Sequence, residues 1–178
     1  RVAMGGITSS LDIRGVSSEY NSGHVGAIAK ALIDAGSRNA VVLLDEIDKI
    51  PHVSIANTLL DVLDPTQNKH FLDDYIGVPT DLSQVLFIAT ANNLQNIPYP
   101  LFDRMKIVPM EGYTENQKVK IAQQHLLPKI LAHHKLTQIP FMNEALIRAI
   151  IAGYTYEAGV RQLTACLKTL AARYIRSL

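Results

Sequence analysis

Two short runs of uninterrupted apolar residues constrain the fold of this chain more than any other feature. They are residues 40–44 (AVVLL) and residues 85–90 (VLFIAT). An apolar run without alternation is typical of a strand that is covered on both faces, as in a parallel sheet flanked by helices. We therefore predict an α/β body in which both runs are strands of one parallel sheet.

Helical periodicity surrounds these two strands. Apolar residues recur at helical spacing from Val25 to Ile33, and Gly36 follows as a C-cap. A second helix is predicted from Val53 to Leu63. Residues 67–79 predict a short strand or hairpin, and residues 106–110 predict one more short strand.

The character of the chain changes near Gly112. Residues 114–117 (TENQ) match a capping box, in which Thr114 and Gln117 each bond the other's backbone. Pro128 ends or kinks the helix that follows. The apolar faces of the predicted helices lie at residues 121–126, 145–151 and 160–174. We predict two domains, an α/β body over residues 1–111 and a small all-α domain over residues 112–178.

Composition excludes several classes of protein. Of 178 residues, 48% are hydrophobic, so the chain is not disordered. A net charge of +1 gives no electrostatic case for nucleic acid or an anionic membrane as the main partner. No apolar run approaches the roughly 20 residues that span a bilayer. The opening residues include neither an initiator methionine nor a signal peptide, so we expect a piece of a longer protein.

Two adjacent acids, Asp45 and Glu46, follow the first strand directly. This is the carboxyl end of the strand, where open α/β sheets bind their ligands. In nucleotide hydrolases an acid at this point holds Mg²⁺, usually through water, and the next acid activates the attacking water. The alternative is a strand that ends in a solvated turn. The continuation Ile47-Asp48-Lys49 favours the nucleotide site.

Three further polar residues extend this hypothesis, and each has an ordinary alternative. Asn92 follows the second strand, where an amide would reach a water or a γ-phosphate, although asparagine is also common in turns. Arg104 follows a Pro-flanked segment, and it would serve a neighbouring nucleotide or pair with Asp103 or another acid. Arg161 begins the last helix, and it would contact phosphates or pair with Glu157.

These residues occur in a fixed order within longer segments that resemble the AAA+ module of the Lon family of ATP-dependent proteases. The segments are LLDEIDKI (43–50), LLDVLDPTQN (59–68), FLDDY (71–75), DLSQVLFIATAN (81–92), LFDRM (101–105), GYTENQK (112–118), HLLPK (125–129) and YEAGVRQL (156–163). The resemblance covers nearly the whole chain. It implies a partial parallel-sheet AAA+ body over residues 1–111, followed by an all-α lid over residues 112–178 that is truncated at its C-terminus.

The resemblance also implies a role for each candidate residue. Asp45 and Glu46 match the Walker B pair, with Asp45 associated with Mg²⁺ and Glu46 activating water. Asn92 matches the sensor-1 position. Arg104 matches the arginine finger, which acts on the nucleotide of the neighbouring subunit. Arg161 matches sensor 2.

Tyr20 matches the aromatic residue of the first pore loop, which grips an extended polypeptide in the channel of a ring. Here Ser17 and Ser18 precede it and Asn21 follows, where the family has basic residues and an apolar one. Residues 50–59 are also shorter than the family's second pore-loop region. Both departures concern polypeptide gripping more than ATP hydrolysis.

The implied function is the ATP-hydrolysing unfoldase and translocase module of a Lon-like serine protease in protein quality control. The implied cofactors are ATP and Mg²⁺, and the implied partners are other subunits of a hexameric ring and unfolded or damaged polypeptides. The implied location is the bacterial cytoplasm or, alternatively, an organelle matrix. The alternatives are a AAA+ chaperone or remodelling ATPase and a non-hydrolysing oligomerisation module.

Two family features are missing from these 178 residues: the phosphate-binding G-x-x-x-x-G-K-[ST] loop and the Ser–Lys protease domain. We therefore expect this chain alone to be inactive and to have negligible affinity for ATP.

Overall fold

The computed structural model describes residues 1–177, and they separate into two units, Arg1–Ile107 and Val108–Leu178. The strands in this part of the chain are β1 (Val2–Ala3), β2 (Val41–Asp45), β3 (Phe71–Leu72), β4 (Pro79–Thr80) and β5 (Leu86–Ala89). The α-helices are α1 (Leu11–Arg14), α2 (Ala27–Ala35), α3 (Val53–Leu63), α4 (Tyr99–Phe102), α5 (Glu115–Ile121), α6 (Leu127–His133), α7 (Glu144–Tyr154) and α8 (Arg161–Arg176).

The two apolar runs form the predicted parallel sheet. β2 is the central strand, and it pairs in parallel with β1 on one side and β5 on the other. The register places Leu44 opposite Ala89, so both strands end at the same edge. The acids after β2 and the polar residues after β5 are therefore brought to one edge of the sheet, as the α/β prediction requires.

The expectation that both faces of these strands are covered is wrong for this part of the chain. Val42 and Leu44 are buried in a core with residues of α2 and α3. On the other face, Val41 is 61% exposed and Leu86 is 57% exposed. No helix formed by residues 1–177 covers that face, and the apolar run alone does not reveal this because both faces carry the same residue type.

The two helices predicted in the first unit, α2 and α3, confirm their sequence signals. α2 ends at Gly36, which has the left-handed conformation (φ 62°) that favours glycine at this position. α3 spans Val53–Leu63 as predicted, and its apolar face packs in the core through residues that include Ile55 and Leu59.

The segments after α3 are confirmed in one place and wrong in another. β3 and β4 form the predicted hairpin, with Phe71 opposite Thr80. Residues 106–110 do not form the predicted strand. Val108 and Met110 are 69% and 90% exposed, and no neighbouring strand offers them a hydrogen-bonding partner within residues 1–177.

The second unit is all-helical, as predicted. The capping box is present, because Thr114 accepts from the Gln117 backbone and the Gln117 side chain accepts from the Thr114 N–H. Pro128 does not end the helical path, which continues from α5 through a π-helical turn (Ala122–Leu126) into α6, with Pro128 in the first turn of α6. Pro128 has no N–H to donate to the preceding turn, and the π-helical turn beside it is the local departure from α-helical geometry. Buried residues of α7 and α8, among them Ile147 and Leu163, form the core.

None of the helices formed by residues 1–177 has the length and apolar character that a membrane span requires.

Candidate functional site

Thr90 joins the two candidate Walker B acids to the end of β5. The Thr90 hydroxyl donates to Oδ1 of Asp45 at 2.5 Å, and the hydroxyl oxygen accepts from the Glu46 N–H at 3.0 Å. Its backbone N–H donates to the Leu44 carbonyl at 3.0 Å, and its carbonyl accepts from the Ile47 N–H at 2.9 Å. Four hydrogen bonds of one residue therefore fix the turn that carries both acids.

The carboxyl group of Asp45 is held in its charged form. Thr90 donates to one oxygen, and the Arg1 guanidinium donates to the other, with Nε at 3.0 Å. The Thr90 hydroxyl, first, and then the Arg1 guanidinium lower the pKa of Asp45 below its ordinary value, because both interactions stabilise the anion. Asp45 is therefore an anionic oxygen donor at neutral pH.

Glu46 has an unusual backbone conformation for a residue with a side chain. Its φ of 59° and ψ of 49° lie in the left-handed region, where a Cβ costs energy. The residue is exposed, so its carboxylate projects from the edge of the sheet rather than into the core. Such strain is typical of functional turns, where the surrounding hydrogen bonds hold a side chain in one direction.

Asn92 lies on the same edge, two residues beyond Thr90, and it is exposed. Its neighbour Asn93 makes the structural contacts: the Asn93 N–H donates to the buried carboxylate of Asp48 at 3.2 Å, and its side chain accepts from the Gln95 N–H at 3.0 Å. Within residues 1–177 no hydrogen bond occupies the Asn92 amide. The loop is therefore held by Asn93, while Asn92 is available to a ligand.

Arg104 lies just after α4 and is held within its own unit. Its guanidinium donates to Oδ2 of Asp64 at 3.2 and 3.3 Å and to the Pro100 carbonyl at 3.1 Å. Asp64 lies at the C-terminal end of α3 and is the acid that pairs with Arg104, rather than the adjacent Asp103. The pair fixes the direction of a guanidinium that is still one-third exposed.

Arg161 is the first residue of α8, in the second unit, and is exposed. The alternative interpretation paired it with Glu157. Instead, the Glu157 carboxylate accepts from the Leu163 N–H, in the first turn of α8, at 3.0 Å. Among the residues that the structure describes, the Arg161 guanidinium has no ion-pair partner.

Tyr20 is 66% exposed at the tip of a loop that precedes α2, where the sequence predicts an exposed aromatic side chain. A pair of hydrogen bonds between Val16 and His24 closes the loop.

Sequence reasoning missed the residues that hold the site together, above all Thr90 and Asp48. Asp48 is 5% exposed, and its second oxygen has no partner within residues 1–177. The sequence shows only that Thr90 lies at the end of an apolar run. Its role follows from its position opposite Asp45. That position depends on the strand register, which the sequence does not specify.

The donors at this edge suit a hard cation. Mg²⁺ prefers oxygen ligands and usually keeps several waters beside one or two carboxylates. An ionised Asp45 with Glu46 and the Asn92 amide on the same edge fits that preference. Over residues 1–177, no group of three or more His, Cys, Asp and Glu side chains forms an all-protein metal cage.

Comparison with protein-family models decides the family. Residues 6–111 match the ATPase family associated with various cellular activities, AAA. The chain belongs to the AAA family of ATPases. A second model, the Lon protease AAA+ ATPase lid domain, matches residues 133–177. The AAA match covers both candidate Walker B acids, Asn92 and Arg104, and the lid match covers Arg161.

Lon proteases are among the curated relatives of this chain. It is 45% identical over 186 residues to the Lon protease of Aquifex aeolicus, covering 99% of this chain and 23% of that relative. It is 47% identical to the peroxisomal Lon protease homolog 2 of Oryza sativa subsp. indica, covering 96% of this chain and 20% of the relative. It is also 47% identical to Lon protease 2 of Thermus thermophilus, covering 92% and 21%.

These matches confirm the resemblance to the ATPase module of Lon proteases. The chain spans about a fifth of the length of the curated relatives that it matches. The relatives include bacterial proteins and plant proteins that are named as peroxisomal.

Proposed function

We propose that this chain is part of the ATP-hydrolysing unfoldase and translocase module of a Lon-like ATP-dependent serine protease. One observation carries the proposal: the acids after β2 are fixed to Thr90 of the neighbouring strand, at the ligand-binding edge of a sheet in a AAA-family chain. The Lon lid match supports the choice of a protease module over another AAA ATPase.

In this proposal the edge of the sheet binds ATP with Mg²⁺. Asp45 holds the metal through water, Glu46 accepts a proton from the attacking water, and Asn92 orients that water or the γ-phosphate. The hydrogen bond from Thr90 supports the role of Asp45, because it holds an anionic oxygen ligand in place at the edge of the sheet. The exposure of Glu46 and Asn92 supports theirs, because both must reach the substrate. Bound Mg²⁺ would supply charge neutralisation at the phosphates.

The remaining candidates act between subunits or on the polypeptide. Arg104 stabilises charge on the nucleotide of the next subunit, which requires a ring, and we infer a homohexamer. Arg161 contacts the nucleotide from the lid, and Tyr20 grips unfolded or damaged polypeptide. The orientation of Arg104 by Asp64 supports the first role, since a positioned guanidinium loses less freedom when it binds phosphate.

We assign the ATPase part to residues 1–111 and the lid to residues 112–178. The proposed location is the bacterial cytoplasm, with an organelle matrix as the alternative, and the named relatives support both. Fractionation of source cells with an antibody against this chain distinguishes the two.

The decisive experiment compares Glu46→Gln with the unaltered protein, both as the source expresses them. Loss of a general base costs about 10²–10⁴ in rate, so ATP turnover should fall about 100-fold or more while ATP still binds. The control is Glu111→Gln, which removes another exposed carboxylate and should leave turnover unchanged. Unchanged turnover in Glu46→Gln would contradict the assignment and favour a non-hydrolysing module.

A further inference from the structure

The segment that carries Tyr20 is a closed loop, which we define as the Tyr20 loop, residues 16–24. At its ends the Val16 N–H donates to the His24 carbonyl at 2.8 Å, and the reverse hydrogen bond is 3.1 Å long. Inside it, the Tyr20 N–H donates to the Ser17 carbonyl at 3.1 Å and the Gly23 N–H to the Tyr20 carbonyl at 2.9 Å. The tip of the loop is exposed, but its backbone is internally bonded.

At the base of the Tyr20 loop, the two chain segments that flank the loop pass close to each other, and each has a glycine at this crossing, Gly15 and Gly26. Gly15 has a φ of 82°, in the region that favours glycine. A Cβ on Gly26 would lie 2.1 Å from the Ile13 carbonyl oxygen and 2.6 Å from the Gly15 nitrogen. No side chain fits at this crossing, so the two backbones meet directly. The direction in which the loop leaves the domain is set at this point.

One buried carboxylate binds the backbone of both the crossing and the β3–β4 hairpin. Asp73, which follows β3, is 0% exposed, and its Oδ2 accepts from the Gly26 N–H at 2.8 Å. Its Oδ1 accepts from the N–H groups of Tyr75 and Ile76 at 3.0 and 3.1 Å. The N–H of Asp74 donates to the Arg14 carbonyl at 2.7 Å, so the β3–β4 hairpin contacts both sides of the crossing.

We propose that Asp73 is the positioning residue of the Tyr20 loop. It fixes the base of the loop to the β3–β4 hairpin, so that Tyr20 is presented to the polypeptide in a fixed position relative to the domain. Charge-assisted hydrogen bonds to backbone amides are strong, and a buried carboxylate that loses them is costly. The loop base and the hairpin therefore move together. The gripping role of Tyr20 rests on the proposed function, whereas the attachment of its loop by Asp73 does not.

The first test measures amide hydrogen exchange in this 178-residue chain carrying Asp73→Asn. An amide group has one acceptor oxygen in place of two, so either the Gly26 N–H or the hairpin N–H groups lose their partner. Exchange at Val16, His24 and Gly26 should accelerate about tenfold or more. Chymotrypsin should also cleave after Tyr20 faster, as mapped by mass spectrometry.

The matched control is Asp74→Asn, which changes the exposed neighbouring acid in the same way and keeps its backbone N–H. It should leave exchange in the Tyr20 loop unchanged. Unchanged exchange in Asp73→Asn overturns the proposal. Loss of protection throughout β2 and β5 also overturns it, because Asp73 would then stabilise the whole domain rather than position one loop.

The second test is a double-mutant cycle on the protein as its source expresses it, with the affinity for fluorescein-labelled casein as the readout. If Asp73 acts through Tyr20, then Asp73→Asn combined with Tyr20→Ala binds casein no more weakly than Tyr20→Ala alone. Independent, additive losses overturn the proposal. If Tyr20→Ala leaves casein affinity unchanged, the gripping role fails, and hydrogen exchange still decides the role of Asp73.

Discussion

The hydroxyl of Thr90, at the end of β5, donates to the carboxylate of Asp45, at the end of β2, at 2.5 Å. The same hydroxyl oxygen accepts from the Glu46 N–H at 3.0 Å. One side chain on the neighbouring strand therefore stabilises the anion of the first acid and holds the backbone of the second. Substitutions of Thr90 should therefore alter the pKa of Asp45 and the position of Glu46, although neither acid is itself substituted.

Replacing Thr90 with Val removes the hydroxyl and nearly keeps the shape of the side chain. The hydroxyl stabilises the anion of Asp45, so its loss should raise the pKa of Asp45 toward the ordinary value of about 4, with the Arg1 contact still lowering it. A carbon-13 NMR titration of the carboxyl group measures this shift.

The pH dependence of stability follows from the same shift. Because the native pKa of Asp45 lies below its unfolded value, the stabilisation is present above that unfolded value and is lost as pH falls through the native pKa. Thr90→Val should therefore destabilise the domain more at pH 7 than at pH 2. Thr90→Ser, which keeps the hydroxyl, is the control, and an equal titration of Asp45 in both variants would contradict the prediction.

Replacing Glu46 with Gly should make the first unit more stable while it abolishes ATP turnover. Glycine removes the cost of a Cβ in the left-handed region, partly offset by its greater freedom in the unfolded chain, for a net gain of about 0.5–1 kcal/mol. Urea unfolding measures the gain. Glu46→Ala loses the same carboxylate and keeps the strain, so an equal stability of the Gly and Ala variants would show that the turn is unstrained.

Mixing two inactive variants should restore ATP turnover if Arg104 acts on the neighbouring subunit. Each proposed site combines Glu46 of one subunit with Arg104 of the next. A ring of Arg104→Ala subunits lacks the arginine at every site, and a ring of Glu46→Gln subunits lacks the general base. In a mixed ring, a Glu46 from one variant meets an Arg104 from the other, so some sites are complete. Turnover of co-assembled subunits should exceed that of either variant by tenfold or more, since an arginine finger contributes about 10³–10⁵ in rate. Mixed rings as inactive as their parents would mean that Arg104 acts within its own subunit.

Replacing Gly112 with Ala should destabilise the second unit. The added Cβ would lie 2.9 Å from the Ala158 Cβ and 3.2 Å from the Ala158 carbonyl oxygen, beside the loop that leads to α8. Overpacking of this kind costs about 1–3 kcal/mol. Thermal unfolding followed by exchange of α8 amides measures the loss.

The control for Gly112 is Gly153→Ala in the last turn of α7, where no atom lies within 4 Å of the added Cβ. That change should stabilise the unit by about 0.4–1 kcal/mol. Equal effects of the two substitutions would show that the chain relaxes around Gly112 without cost.

Local patterns in the sequence were sufficient for most helices and for the two main strands. The cap at Gly36, the capping box at Thr114 and the two apolar runs depend on neighbours within a few residues, which a sequence displays directly. The prediction of a short strand over residues 106–110 was wrong because a strand requires a hydrogen-bonded partner strand, and a local pattern does not reveal whether one is nearby. The uncovered face at Val41 was hidden for the same reason.

The sequence by itself determined which acids end the central strand and which polar residues follow the next strand, since Asp45, Glu46 and Asn92 stand at the ends of apolar runs. Only the tertiary structure decided how they are held. The Thr90–Asp45 hydrogen bond joins residues 45 positions apart, and the Asp73–Gly26 hydrogen bond joins residues 47 positions apart. Such contacts depend on strand register and on backbones that cross, and they form only when distant segments pack together.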